Sequence, residues 1–185
     1  MDRFFISGPS KIKGTIKLSG SKNASLPILA ATILFDEPVE IKNLPNVKDI
    51  STMLDLIKSL GFIVTKNKVK NSVTIQKKNI KTFASYSLVK TMRAGILVLG
   101  PLISKYRKAI TSLPGGCLIG ARPVNFHLNA LGKLGMKHQI KKGYIYANAK
   151  KGLKGSVIKF PQISVGATEN AILAATLAEG KTILK

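Results

Sequence analysis

The sequence predicts an α/β fold made of repeated units packed around a shared core, and three observations carry that expectation. A helix-spaced apolar stripe is followed by two β-prone runs, this order occurs twice, and short strings recur at matching places in the two copies. Units of this kind cannot each bury their own apolar faces, so they assemble around a common interior.

In chain order, the first 21 residues hold two β-prone strings, RFFI and KGTIKL. GSKN (Gly20 to Asn23) then opens a helix, and PVEI reads as a strand. Val47, Ile50, Leu54, Ile57 and Leu60 form one helical stripe, with Asn46 as the expected N-cap and Gly61 as the stop. FIVTK and SVTIQ, separated by a polar turn, make a hairpin.

The second copy repeats this order. An apolar stretch runs from Val89 to Ile103, followed by the strand KAITSLP, and a helix carries Val124, Leu128, Leu131 and Leu134 on one face up to Gly135. MKHQI and YIYAN close the unit as strands. IKNLP (Ile41 to Pro45) aligns with ITSLP (Ile110 to Pro114), and SLGFIV with KLGMKH. Between those anchors the second copy has five extra residues, which fall in GGCLIGARP. A third copy opens where ILAAT at Ile172 to Thr176 repeats ILAAT at Ile28 to Thr32, followed by the strand KTILK. The expected organisation is therefore residues 1–21 as leading strands, repeats over 22–84 and 85–160, and the start of a third repeat over 161–185.

Thirty Lys and Arg against eight Asp and Glu give a net charge of +22, which raises the class of polyanion binders. Only four of these cations are Arg, the lysines are spread along the chain, and aromatic residues make up 6% without basic interleaving, so nucleic acid is not the expected partner. GKLG (Gly132 to Gly135) mimics a nucleic-acid-binding GxxG loop but sits where a helix needs its C-terminal glycine. With one cysteine and two histidines, His127 and His138, neither a disulfide framework nor a metal site is expected. The apolar runs are about half the ~20 residues a spanning helix needs. MDRFFISGPS lacks the pattern of a signal peptide, and a cytoplasmic location is expected.

Three helices begin with small or polar residues: GSKN, ARPV (Ala121 to Val124) and SVGAT (Ser164 to Thr168). A helix N-terminus offers free N–H groups and the positive end of a dipole, and Lys22 and Arg122 add cations to two of them, so a ligand with several phosphates is indicated. Cys117 lies in the Gly- and Pro-rich insertion, five residues before Arg122. Two readings stand for it: an inert buried thiol, or a thiol activated by Arg122 and the helix start to act as acid or nucleophile.

GPSKIKGTIKLSGSKNASLPILAATIL, TMRAGILVLGPL, SLPGGCLIGARPVNFHLNALGKLG and ISVGATENAILAATLAEG resemble, in order and spacing, the UDP-N-acetylglucosamine 1-carboxyvinyltransferases. The likeness covers essentially the whole chain. The block PGGC-x-IGARPV sets it apart from 5-enolpyruvylshikimate-3-phosphate synthase, which shares the fold. The resemblance implies an inside-out α/β barrel, here incomplete, and transfer of an enolpyruvyl group from phosphoenolpyruvate to the 3′-hydroxyl of UDP-N-acetylglucosamine with release of phosphate. That reaction is the first committed step of peptidoglycan synthesis, and it requires no metal or other cofactor.

By the same resemblance, Lys22, Asn23 and Arg122 bind phosphoenolpyruvate. Cys117 is the catalytic thiol, which donates a proton, adds to phosphoenolpyruvate and is alkylated by fosfomycin. Arg93, Arg122, Pro123, Val124, Asn125, Phe126, Gln162, Ile163, Ser164 and Val165 bind the nucleotide sugar. Asn125 stands where Asp is common and Gln162 where Lys is common, and both departures fall on the uridine side. Members of this family are about twice as long, with a second domain that completes the site and pairs with the leading strands. The chain taken alone is therefore expected to lack activity and, with RFFI and KGTIKL exposed, to dissolve poorly. The alternative is a non-catalytic basic module that binds phosphates or nucleic acid. Size-exclusion chromatography and a turnover assay on the 185-residue chain test the first expectation. A monodisperse monomer with turnover would contradict it.

Overall fold

In the computed structural model, residues 3–67, 69, 71–115 and 124–185 are described. The first unit contains α1 (Lys22–Ala31), β1 (Val39–Lys42), α2 (Lys48–Ser59), β2 (Phe62–Asn67) and β3 (Ser72–Lys77). Next come β4 (Phe83–Ala84), α3 (Tyr86–Val89) and a 3-10 segment (Arg93–Val98). The second unit follows as α4 (Leu99–Tyr106), β5 (Lys108–Ser112), α5 (Asn125–Lys133), β6 (Lys137–Lys141) and β7 (Tyr144–Asn148). The third part has β8 (Val157–Ile158), α6 (Val165–Ala175) and β9 (Ile183–Leu184).

The repetition seen in the letters is a repetition of topology. The first sheet has the order β1-β3-β2 and the second β4-β5-β7-β6, so equivalent strands hold equivalent places. Both are antiparallel where the repeats match, with Ile41 opposite Val73 and Ala109 opposite Ala147. β4 joins β5 in parallel, and β8 joins β9 in parallel across α6. Gly61 and Gly135 end the second helix of each unit at φ of 91° and 103°, a region where a side chain is strained.

Three expectations differ from what is seen. The N-cap of α2 is Val47 and not Asn46, because Val47 is the residue in extended conformation whose carbonyl accepts the first helical bonds, from Ile50 and Ser51. Residues 3–20 form no strand; a segment without a neighbouring strand has nowhere to place its backbone bonds. Phe4, Phe5, Ile6, Ile12, Ile16 and Leu18 are all exposed. Finally, the apolar stretch from Val89 to Ile103 is divided between α3, the 3-10 segment and α4.

That division has a visible cause. Asn170 of α6 places its carboxamide between Ile96 and Gly100, where a regular helix would have joined the two directly. The Gly100 amide donates to Asn170 Oδ1 at 2.8 Å, and Asn170 Nδ2 donates to the Ile96 carbonyl at 3.1 Å. A side chain inserted in the i to i−4 ladder explains the change from 3-10 to α geometry. Only glycine fits at position 100, since a Cβ there would stand 2.4 Å from Asn170 Oδ1. Ala167, Ala171 and Ala174 are fully buried on the face of α6 that packs into the core. Leu29, Ile33, Met53, Leu56, Leu102 and Leu131 fill the same interior from the other helices and the turn after α1.

An ion-pair cluster ties the two units on the outside. Asp36 accepts from Lys77 of β3 at 2.8 Å and from Lys105 of α4, and Lys105 also donates to the Leu34 carbonyl. These bonds hold the Asp36 carboxyl at a pKa of about 2. Its contribution to stability is complete above the ordinary carboxylate range and lost as pH falls through about 2. Acid unfolding followed by circular dichroism should show Asp36→Asn losing that leg between pH ~4 and ~2. In urea at neutral pH, Gly100→Ala should lose about 1–3 kcal/mol through overpacking against Asn170.

Candidate active site

The elements leave one face where the starts of α1, α5 and α6 meet the 3-10 segment and the chain beyond β5. A cavity of about 790 Å³ opens there. α1 contributes Asn23, Leu26 and Pro27, and its N-terminus is capped by Ser21, which accepts from the Ala24 amide. The 3-10 segment contributes Arg93, and α5 contributes Phe126 and His127. The chain leading into α6 contributes Gln162, Ile163 and Ser164, and α6 itself contributes Val165 and Gly166, with Glu169 one turn further.

Among the described residues, the starts of α5 and α6 are not capped by a side chain: neither Val124 nor Ser164 makes such a bond. Their first-turn amides are donors available to a ligand, at the positive end of each helix dipole. Arg93 adds a full charge, with no carboxylate in ion-pair reach among the described residues. Anionic groups are favoured at this face on both counts.

Of the residues anticipated from the sequence, Asn23, Arg93, Val124, Phe126, Gln162, Ile163, Ser164 and Val165 are brought together as cavity lining. Lys22 and Asn125 do not line it: the Lys22 ammonium pairs with Asp49 of α2 at 2.9 Å, and Asn125 is exposed. Cys117, Arg122 and Pro123 lie outside the described residues. No cluster of metal-ligating side chains occurs among the described residues.

His127 and Glu169 were missed by the sequence reading. His127 follows directly on the Asn125–Phe126 pair, and only its place after a helix start marked it. The ring is mostly buried, which lowers its pKa to about 4, and burial raises that of Glu169. His127 Nδ1 lies 3.1 Å from Asn170 Nδ2. Asn170 could have been noticed as a carboxamide directly before the small and apolar stretch AILAAT.

The family described as EPSP synthase (3-phosphoshikimate 1-carboxyvinyltransferase) matches residues 6–185. The chain belongs to that family. Within it, the chain is 61% identical over 184 residues to UDP-N-acetylglucosamine 1-carboxyvinyltransferase of Pelagibacter ubique and 48% identical over 186 residues to that of Acinetobacter baylyi. In both comparisons the match takes in 100% of this chain and 44% of the relative, so the chain spans less than half the length of these homologues. Among solved structures, the enolpyruvyl transferase NikO from Streptomyces tendae superposes with a TM-score of 0.77 at 19% identity, covering 96% of this chain and 42% of that one. EPSP synthase from Acinetobacter baumannii gives 0.73 at 19% identity, covering 93% and 40%. The expected enolpyruvyl transferase fold is present, in part. Among the described residues, no helix is long and apolar enough to cross a membrane.

His127 makes one consequence measurable. Because its folded pKa lies near 4, below the ordinary histidine value of 6.5, stability should fall as pH drops from about 6.5 to about 4. The loss attributable to His127 is about 3 kcal/mol at most. It appears as the difference between wild type and His127→Gln in urea unfolding across that range.

Proposed function

We propose that this chain is part of an enzyme that transfers the enolpyruvyl group of phosphoenolpyruvate to the 3′-hydroxyl of UDP-N-acetylglucosamine, releasing phosphate. The observation that carries the reading is the string PGGCLIGARPV at 114–124, joined to 61% identity with a carboxyvinyltransferase of that specificity. The superposed EPSP synthase from Acinetobacter baumannii is 19% identical to this chain.

The chemistry asks for a proton delivered to a methylene carbon, support for a developing oxocarbenium-like centre and neutralisation of phosphate charge. In this proposal Cys117 supplies the proton and adds to phosphoenolpyruvate. Lys22, Asn23 and Arg122 hold that substrate, Arg122 also reaching the nucleotide. Arg93, the uncapped amides of α5 and α6, and Gln162 through Val165 face the diphosphate and sugar, with Pro123, Val124, Asn125 and Phe126 completing that side. Lys22 can serve only by exchanging Asp49 for a phosphate, since it is paired in the free structure. Asn125 and Gln162 replace charged partners by amides, which affects nucleotide affinity before it affects the chemical step. The proposed setting is cytoplasmic cell-wall precursor synthesis, and the remaining catalytic groups belong to the part of such enzymes that this chain does not span.

Phosphate release from phosphoenolpyruvate and UDP-N-acetylglucosamine, compared between this chain and a polypeptide extended to the relatives' length, tests the reading. The extended form should turn over, and Cys117→Ala should cut its rate by about 10²–10⁴. Turnover with shikimate 3-phosphate in place of the nucleotide sugar would overturn it. Silence from both forms, together with salt-sensitive binding of oligonucleotides, would favour the basic binding module instead.

A further inference from the structure

Asn170 is completely buried and every polar atom of its carboxamide is engaged. Two backbone groups fix which end is which. The Gly100 amide can only donate, so the atom it meets at 2.8 Å is the carbonyl oxygen. The Ile96 carbonyl can only accept, so the atom it meets at 3.1 Å is the NH2 nitrogen. That nitrogen has a second hydrogen, and His127 Nδ1 lies 3.1 Å from it. A ring nitrogen facing an N–H donor must offer its lone pair, which leaves the ring proton on Nε2.

The Nε2 edge faces the start of α6, where a Cβ built on Gly166 would stand 3.6 Å from it, and His127 lines the cavity. Among the described residues, Nε2 has no hydrogen-bond partner of its own. Among the described residues, the charged groups sharing that cavity are Arg93 of the 3-10 segment and Glu169 of α6.

We infer that Asn170 is a positioning residue that fixes His127 as its Nε2–H tautomer, so that the cavity presents an uncharged donor there to a carbonyl or hydroxyl oxygen of the ligand. The tautomer follows from the hydrogen-bond geometry alone, whereas the donor's use on a nucleotide sugar rests on the enolpyruvyl-transfer reading. The arrangement separates two tasks at one face. Arg93 and the helix starts attract anionic groups, and His127 orients a neutral oxygen without competing for charge. Burial of the ring, which keeps it unprotonated at neutral pH, acts in the same direction.

Two-dimensional ¹H–¹⁵N correlation spectra of the imidazole nitrogens decide the tautomer without any ligand. They are recorded at pH 7 on the chain, or on its form extended to the relatives' length where the shorter one aggregates. The expected result is a protonated Nε2 and a bare Nδ1 in the wild type. In Asn170→Asp, the carboxylate oxygen facing the ring accepts instead of donating, so the proton should move to Nδ1 or the ring should become cationic. A wild-type ring carrying its proton on Nδ1, or a tautomer unchanged in Asn170→Asp, would overturn the inference. If that variant does not fold, the wild-type spectrum settles the question by itself. UDP-N-acetylglucosamine is then added to the same sample. A shift at Nε2 supports the donor role, while an unperturbed ring with bound nucleotide removes that role. Absence of any binding counts against the transferase reading and leaves the tautomer to the first spectrum.

Discussion

The structure depends on one carboxamide placed where a helix has been opened. Asn170 takes up the two backbone groups that Gly100 and Ile96 would otherwise have given each other, and so lets α6 dock against the break instead of against a smooth cylinder. A buried amide left unsatisfied costs about 1–3 kcal/mol, so the insertion is stable only because donor and acceptor are matched on both sides. The alanine face of α6 allows the close approach, and Ser104 of α4 seals it by donating to the Ala174 carbonyl. With α6 set at that depth, its N-terminus reaches the same face as α5 and the 3-10 segment. The cavity thus takes its helical walls from this packing, while Pro114, Gly115 and Gln162 to Ser164 line it from the connecting chain.

Much of this was legible in the letters because periodicity reports burial. The stripe from Ile50 to Ile57 became a helix buried at Ile50, Met53, Leu54, Leu56 and Ile57, and the glycines at 61 and 135 ended their helices as their position suggested. The hairpin strands followed from β-prone runs, and the strings that match between the two units sit in sheets of matching order. The third helix start was visible as a small-residue run before ILAAT.

What was not legible has a common physical origin. The break in the stretch from Val89 to Ile103 is imposed by a residue some seventy positions further on, and no local pattern encodes a partner at that distance. The pairing of Lys22 with Asp49 likewise joins two helices whose relative placement is a matter of tertiary packing. Asn46 is a better N-cap by type than Val47, yet the extended backbone at Val47 moved the boundary by one residue. The sequence reading stopped at Phe126, although His127 is the side chain that the buried network addresses.

The outer strand of the second sheet, β6, exposes all five of its residues and, among the described residues, has a neighbouring strand on one side only. A bare edge is ordinarily a template for another copy. Here an approaching edge would meet Lys137 and Lys141 on a molecule whose net charge is +22. The resulting repulsion is long-ranged in dilute buffer and shrinks to ~10 Å at 0.1 M salt. Self-avoidance at this edge is therefore a shared property of the polypeptide and its solvent, and ionic strength sets the distance over which molecules recognise one another as alike.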